Sequence, residues 1–575
     1  MERKRQLDAA GPSPTRRKLI AAALAVALIT FASMQLFAQA TPSSQSYPQE
    51  TPAVSSADAE FARGIALAEA GHLGDARSTF LRASLLHPRD PRFPTELGGI
   101  AFKQKQYREA IHWLRRAREL APNDTYLRDF LGTLYFIQGR QAAAISEWNQ
   151  IDKPVVEDIR VQPGLRVDPV LLDRSLAFSR GEPLTVTDLF TTEARLRALG
   201  VYPMFSLRLA ARPDGKFHVD FAAQELNGFG GGWEALLGTF RGAFYQTITP
   251  EYYNIVGTAT NITTLWRWDA EKRRVGAVVS GPLHRNPKWR YRTGLDWRNE
   301  NWDVQNFSAL PGASLGFLNM RRSAAGAEIT SVKDARFIWS AGGEISYRDF
   351  RCGDGAVPRP CVLTDTVQQQ GPPALLASGY QLKQRASLAY DLLRLPKKQY
   401  RLTVGVQSEL ARLWAGDGSV FEKLQGELSQ SWTLTDQADG PQLTTAARAG
   451  KTFGTPPFDE LFMLGAERDN PLLMHAHIGT NNAGRKGNAP LGRNYFLWNN
   501  DIDKKIWGNG LFAMRFGPFV DIGKITDPLP SLGSSKWLVD AGGQLTVRVL
   551  GLQLRASYGR DLRAGRGAFY TWVGK

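Results

Sequence analysis

Toward its C-terminus the chain alternates. Phe512, Met514, Phe516, Pro518, Val520 and Ile522 form an unbroken apolar set at every second position, and Ala513, Arg515, Gly517, Phe519, Asp521 and Gly523 form a mixed set between them. A period of two means a strand with one greasy and one polar face, and it places Asp521 on the polar face. In "YRLTVGVQSELARLW" the same period separates Tyr400, Leu402, Val404, Val406 and Leu410 from Arg401, Thr403, Gln407 and Glu409. "GQLTVRV" and "GLQLRASYG" repeat it, with Leu545, Val547 and Val549, then Leu552, Leu554, Ala556 and Tyr558 on the apolar sides. From Gly228 onward the chain reads as such strands joined by turns. A soluble sandwich also alternates, but it hides its apolar faces against each other in shorter strands. Segments of ~10 residues with aromatics near their ends fit a transmembrane antiparallel β-barrel over residues 228–575. "TLWRWD", "KWRYRTGLDWRNENW" and "YFLWNN" supply those aromatics.

Upstream the period changes. Gly64, Gly98 and Gly132 are 34 residues apart, as are Ala76, Ala110 and Ala144; Ala83 and Ala117, and Pro88 and Pro122, keep the same step. Over residues 57–153 this resembles tetratricopeptide repeats, in which small residues let paired helices pack closely. The resemblance implies an α-helical solenoid with a concave face for peptides or partner helices, the alternative being a spacer. Residues 155–226 then read strand, helix, helix, strand, strand, with Pro213-Asp214-Gly215 as a hairpin signal between the last two. That order, with "RLRALGVYPMFSLRL" at the helix-to-strand junction, resembles a polypeptide-transport-associated (POTRA) domain. It implies a small α+β domain whose strand edge adds a strand from an unfolded client, a plain α+β spacer being the alternative.

The chain has 575 residues, 43% hydrophobic and 22% charged, which excludes wholesale disorder. Its one long apolar span, Leu19 to Phe37, follows Arg16-Arg17-Lys18 and precedes Ala38-Gln39-Ala40. Residues 1–40 therefore read as a signal peptide, with an uncleaved anchor as the alternative, and 41–56 as a Pro/Ser linker. The net charge of +16 is spread along the chain, with no basic block interleaved with aromatics. No nucleic-acid partner is expected; the anionic neighbours of an exported barrel are lipid head groups and lipopolysaccharide. Cys352 and Cys361 in "RCGDGAVPRPC" are too few for zinc and fit a disulfide in a surface loop. No cofactor and no metal are expected.

"GWEALLGTF", "PPFDELFMLG", "NAPLGRNYFLWNNDIDKKIW" and above all "GPFVDIGK" resemble the BamA/TamA superfamily of outer-membrane assembly and translocation barrels, of the bacterial surface antigen type. The resemblance implies about sixteen strands and an extracellular loop folded back into the lumen. In those relatives the loop carries an Arg-Gly-aromatic motif; here the matching text is "AERDNPLLMHAHIG", which puts His475, Ala476 and His477 in those places. It also implies that the loop holds the acid of "GPFVDIGK", Asp521, flanked on its face by Phe519 and Gly523. His475 is the partner by alignment and Arg468 by chemistry, since a guanidinium grips a carboxylate with two hydrogen bonds. Gly230, Gly231, Gly232 and Trp233 read as a thinly specified first strand, pairing with the last strand near Tyr570 as an opening seam. The implied function is non-enzymatic insertion or translocation of unfolded outer-membrane or secreted proteins. A periplasmic arm would receive clients or accessory proteins; a polysaccharide-exporting porin with tetratricopeptide repeats is the alternative. "GASLG" around Ser314 has the hydrolase spacing without the helix that an elbow needs.

Overall fold

The computed structural model describes residues 54–307, 313–352, 373–414, 419–435, 440–508, 512–549 and 552–574. The signal peptide and Cys361, and with it the Cys352–Cys361 bridge, lie outside the described residues. The described residues up to Pro88 form one compact unit and those from Arg89 another. In the first, helices α1 (Val54–Glu69) and α2 (Leu73–Leu86) pair. A Cβ on Gly64 would stand 2.3 Å from the Phe80 ring, so the glycine allows the close approach. Ala76 and Ala83 are fully buried beside it.

The second unit begins with the same device. Helices α3 (Arg92–Lys103) and α4 (Tyr107–Leu120) meet where a Cβ on Gly98 would be 2.6 Å from Leu114. Helices α5 (Thr125–Ile137) and α6 (Gln141–Trp148) meet where one on Gly132 would be 2.3 Å from the Trp148 indole nitrogen. Phe80, Leu114 and Trp148 thus keep the repeat's own step, and Ala110, Ala117 and Ala144 are fully buried.

An α+β domain follows: β1 (Val156–Val161), α7 (Pro169–Ser175), α8 (Val186–Leu199), β2 (Met204–Ala211) and β3 (Phe217–Gln224). Its sheet order is β1-β3-β2, with β1 parallel to β3 and β2 antiparallel to it. Helix α8 starts on a capping box of Thr185 and Asp188 and stops at Gly200 in the left-handed region. The repeat helices from residue 92 on and this domain share one apolar core, in which the Phe217 ring lies 5.1 Å from that of Trp148. The domain seats on turns at one end of the barrel: Arg195 donates to the Lys333 carbonyl at 2.8 Å, and Asn261 donates to that of Leu199 at 2.8 Å.

The barrel is a 16-stranded sheet, counting separately the two pieces of a broken edge strand, and runs in sequence order with the last strand, Gly567–Gly574, at one end. The other end is an edge strand in two pieces, Thr247–Ile248 and Glu251–Tyr252, both paired antiparallel to Asn261–Trp268. Among the described residues no ladder joins the two ends. The period of two has its predicted consequence: Val406, Leu410, Phe516, Leu554 and Tyr558 are exposed on the outside, and Glu409, Phe519 and Asp521 are buried inside. Gly230–Trp233 do not begin a strand. Trp233 sits in helix α9 (Gly232–Phe240), and the sheet starts only at Thr247. Trp233, Leu236, Leu237 and Phe240 have helical rather than alternating spacing, and that local period prevails over the glycines before it.

Candidate functional site

Residues 455–493 connect strand Gln442–Gly454 to strand Asn494–Gly508, leaving the barrel at the end away from the α+β domain. They turn back into the lumen because their apolar residues find partners there. Phe458, Leu461, Met463, Ala489 and Leu491 pack against Trp302, Val304, Leu318 and Met320 of the wall. Phe462, Leu464, Leu472 and Met474 pack against Tyr495, Leu497 and Ile525. Phe462–Met463 and Leu491–Gly492 pair as a small ladder that closes the loop's neck.

The tip meets strand Phe512–Thr526 at three alternate positions. The His475 ring stacks on Phe519, centroids 3.9 Å apart and planes 28° apart. Asp521 Oδ2 accepts from the His475 backbone N–H at 3.1 Å and lies 2.7 Å from His475 Nδ1. Asp521 Oδ1 accepts from Asn499 Nδ2 at 2.7 Å, and the same amide donates to the Leu473 carbonyl at 3.0 Å. At Gly523 a Cβ would be 2.7 Å from Met474 Sδ and 3.0 Å from Leu464 Cδ1, so the bare backbone makes room for the loop. Phe519, Asp521 and Gly523 thus each receive one feature of the tip.

The acceptor on the neighbouring strand, Leu538–Val549, was not anticipated. Asp540 lies directly across from Asp521 in the ladder, and both carboxylates are fully buried. Two like charges in that position repel unless donors surround them. The tip supplies those donors: Asp540 Oδ2 accepts from the Ala476 N–H at 2.7 Å and lies 3.1 Å from His477 Nδ1. His477 Nε2 is 3.8 Å from Asp561. The sequence held a signal for Asp540, since Val539-Asp540-Ala541-Gly542 repeats the Val-Asp-x-Gly of residues 520–523. His475, Ala476 and His477 therefore hold two acids with imidazoles and backbone N–H groups, where a guanidinium was the chemical alternative.

Arg468 is not that guanidinium. Its neighbour Asp469 is gripped on the opposite side of the lumen, 2.8 Å from Arg267 Nη1 and 2.7 Å from Arg274 Nη1. That anchor leaves Arg468 over the Tyr245 ring, 3.2 Å from its centroid. Tyr245 in turn hydrogen-bonds the Thr571 hydroxyl, which links the start of the sheet to its last strand beside Tyr570. Further ties surround the loop. Lys383 holds Glu460 at 2.6 Å, Arg348 holds Asp459 at 2.5 Å, and Glu300 holds Lys486 at 2.6 Å. Ser314 opens a strand and donates to Asp303 at 2.6 Å, with no helix after it. His475 and His477 face different carboxylates rather than a shared centre.

Residues 61–125 match the tetratricopeptide repeat family. No curated protein matches the sequence. Among solved structures the chain is similar in fold to BamA from Haemophilus ducreyi lacking POTRA domains 1–3, at 11% identity and a TM-score of 0.43, over 73% of this chain and 84% of that one. It is similar to CdiB from Acinetobacter baumannii at 12% identity and 0.42, over 73% of each chain. CdiB from Escherichia coli aligns at 14% identity and 0.41, over 76% of this chain and 98% of that one.

Proposed function

We propose that this chain is a non-enzymatic outer-membrane barrel that assists the insertion or translocation of unfolded client proteins. Its repeats and α+β domain stand in the periplasm to receive clients or accessory proteins. The observation that carries the reading is the loop of residues 455–493. A conduit for soluble polymer needs an open lumen, whereas here the lumen holds a loop bolted to Asp521 and Asp540 at its tip and to Arg267, Arg348 and Lys383 along its length. Among the described residues no ladder joins the two ends of the sheet, and an edge is what a client strand needs, because its backbone groups cannot enter lipid unpaired. The outer face carries exposed Trp266, Trp297, Leu295, Ile345, Val406 and Phe516, the cladding of a wall that meets hydrocarbon. On the α+β domain, the Leu209 N–H of edge strand β2 is taken by the Gln141 side chain at 3.0 Å, so the repeats touch the edge at which a client would add.

Depleting the protein in its host and comparing outer-membrane protein levels with secreted polysaccharide tests this reading. Loss of particular outer-membrane or secreted proteins with polysaccharide unchanged is the expected result. Loss of polysaccharide alone would replace it with the exporter.

A further inference from the structure

Helix α9 occupies the place of a wall strand. The chain pairs at Gly228 with Tyr253, exchanging both backbone hydrogen bonds at 2.9 and 2.7 Å, then climbs beside the edge strand through α9 and returns as that strand. Two further outward backbone donors of this edge are taken by the segment. Thr249 N–H donates to the Thr239 carbonyl at 2.9 Å and Thr247 N–H to the Gly242 carbonyl at 3.0 Å. The Thr249 hydroxyl adds a bond to the Gly238 carbonyl at 3.1 Å. The face of the segment that meets the edge carries Gly238, Thr239 and Gly242, small enough for this approach; a Cβ on Gly242 would be 2.8 Å from the Thr247 carbonyl oxygen.

The opposite face is large, apolar and uncovered. Trp233, Leu236, Leu237 and Phe240 are 76, 50, 43 and 53% exposed, and Phe244 just beyond is 98% exposed. We propose that this face docks in bilayer hydrocarbon, making α9 a lipid-anchored helical cap on the first edge of the barrel. The inference rests on the membrane-barrel reading above. Lipid is the occupant because the face continues the outward apolar surface of the wall: the Phe229 ring stands edge-on to that of Tyr252 at 5.0 Å, and Tyr252 and Trp266 are exposed on the neighbouring strands. A helix satisfies its own backbone in hydrocarbon, so it can lie against a sheet edge there without a ladder on its far side.

The test uses the full-length chain in phosphatidylcholine vesicles, with Cys352 and Cys361 replaced by Ser and one fluorophore placed at Leu237→Cys, Leu236→Cys or Val406→Cys. Heat-modifiable migration reports folding of each variant, and the exposed position of all three side chains makes them tolerant sites. Val406, on the outer face of a full strand, reports whether the barrel spans the bilayer. The expected result is quenching by acyl-chain nitroxide at Leu237 and Leu236 within about twofold of that at Val406, with little quenching by aqueous iodide. Nitroxide quenching at Val406 with iodide quenching at both helix positions would overturn the cap and leave the barrel standing. Iodide quenching at all three would overturn the membrane reading and the inference with it.

Discussion

The loop tip and the first edge are both places where a short segment covers exposed acceptors or donors of the sheet, and they do it by different means. At the tip, three consecutive residues lock into two fully buried carboxylates by backbone and side-chain bonds, with a ring stack and a close-approach glycine beside them. At the edge, a helix and the turn after it cover Thr249 and Thr247 through backbone bonds to the Thr239 and Gly242 carbonyls, with the helix's large side chains turned away from the sheet. Buried acids without their donors are costly, so the tip resists opening; an edge bond can be re-formed by any strand that supplies a carbonyl. On the proposed function, the tip is the scaffold and the edge the place where a client strand would exchange.

The substitution with the largest expected effect acts on the tip. Asp521→Ala removes the acceptor of the His475 N–H and of Asn499, and should cost ~3 kcal/mol. The midpoint of heat-modifiable migration and the protease sensitivity of residues 455–493 report it. A variant with unchanged midpoint and loop protection would place the scaffold elsewhere. Gly523→Ala should cost less, about 1–2 kcal/mol, because the new methyl meets the flexible thioether of Met474 rather than backbone. Arg468→Ala, at the seam, should change barrel stability by no more than about 1 kcal/mol, the scale of a cation–π contact. A loss as large as that of Asp521→Ala would make Arg468 a scaffold residue and blur the comparison. Deleting residues 57–153 should leave heat-modifiable migration of the barrel unchanged, since the repeats pack into the core of the α+β domain and not into the lumen. Loss of that migration would tie the arm to barrel folding.

Much of the tip was legible in the chain because a strand period assigns faces. Once Phe516 and Val520 point outward, Asp521 and Phe519 must point in, and "HAH" is the stretch of the loop that aligns with them. The side of the lumen to which Arg468 goes was not legible, because it depends on Asp469 finding Arg267 and Arg274 some two hundred residues earlier in the chain. The first edge was misread for a local reason. Three adjacent glycines, Gly230 to Gly232, suggest a weak strand, while Trp233, Leu236, Leu237 and Phe240 carry a readable helical spacing in a run too short to decide by itself. The repeats are plain in the sequence, because Gly64, Gly98 and Gly132, and Ala76, Ala110 and Ala144, recur at one step of 34 residues.

The most direct test of exchange at the edge is a reversible tether between helix and strand. Thr239→Cys with Thr249→Cys, in a chain whose Cys352 and Cys361 are Ser, joins two residues already in backbone contact at 2.9 Å. Insertion of an unfolded outer-membrane protein into vesicles is then measured with the pair oxidised and reduced. The account predicts a folded barrel in both states, about tenfold slower insertion when oxidised, and recovery on reduction. Equal insertion by the oxidised and reduced forms would contradict it.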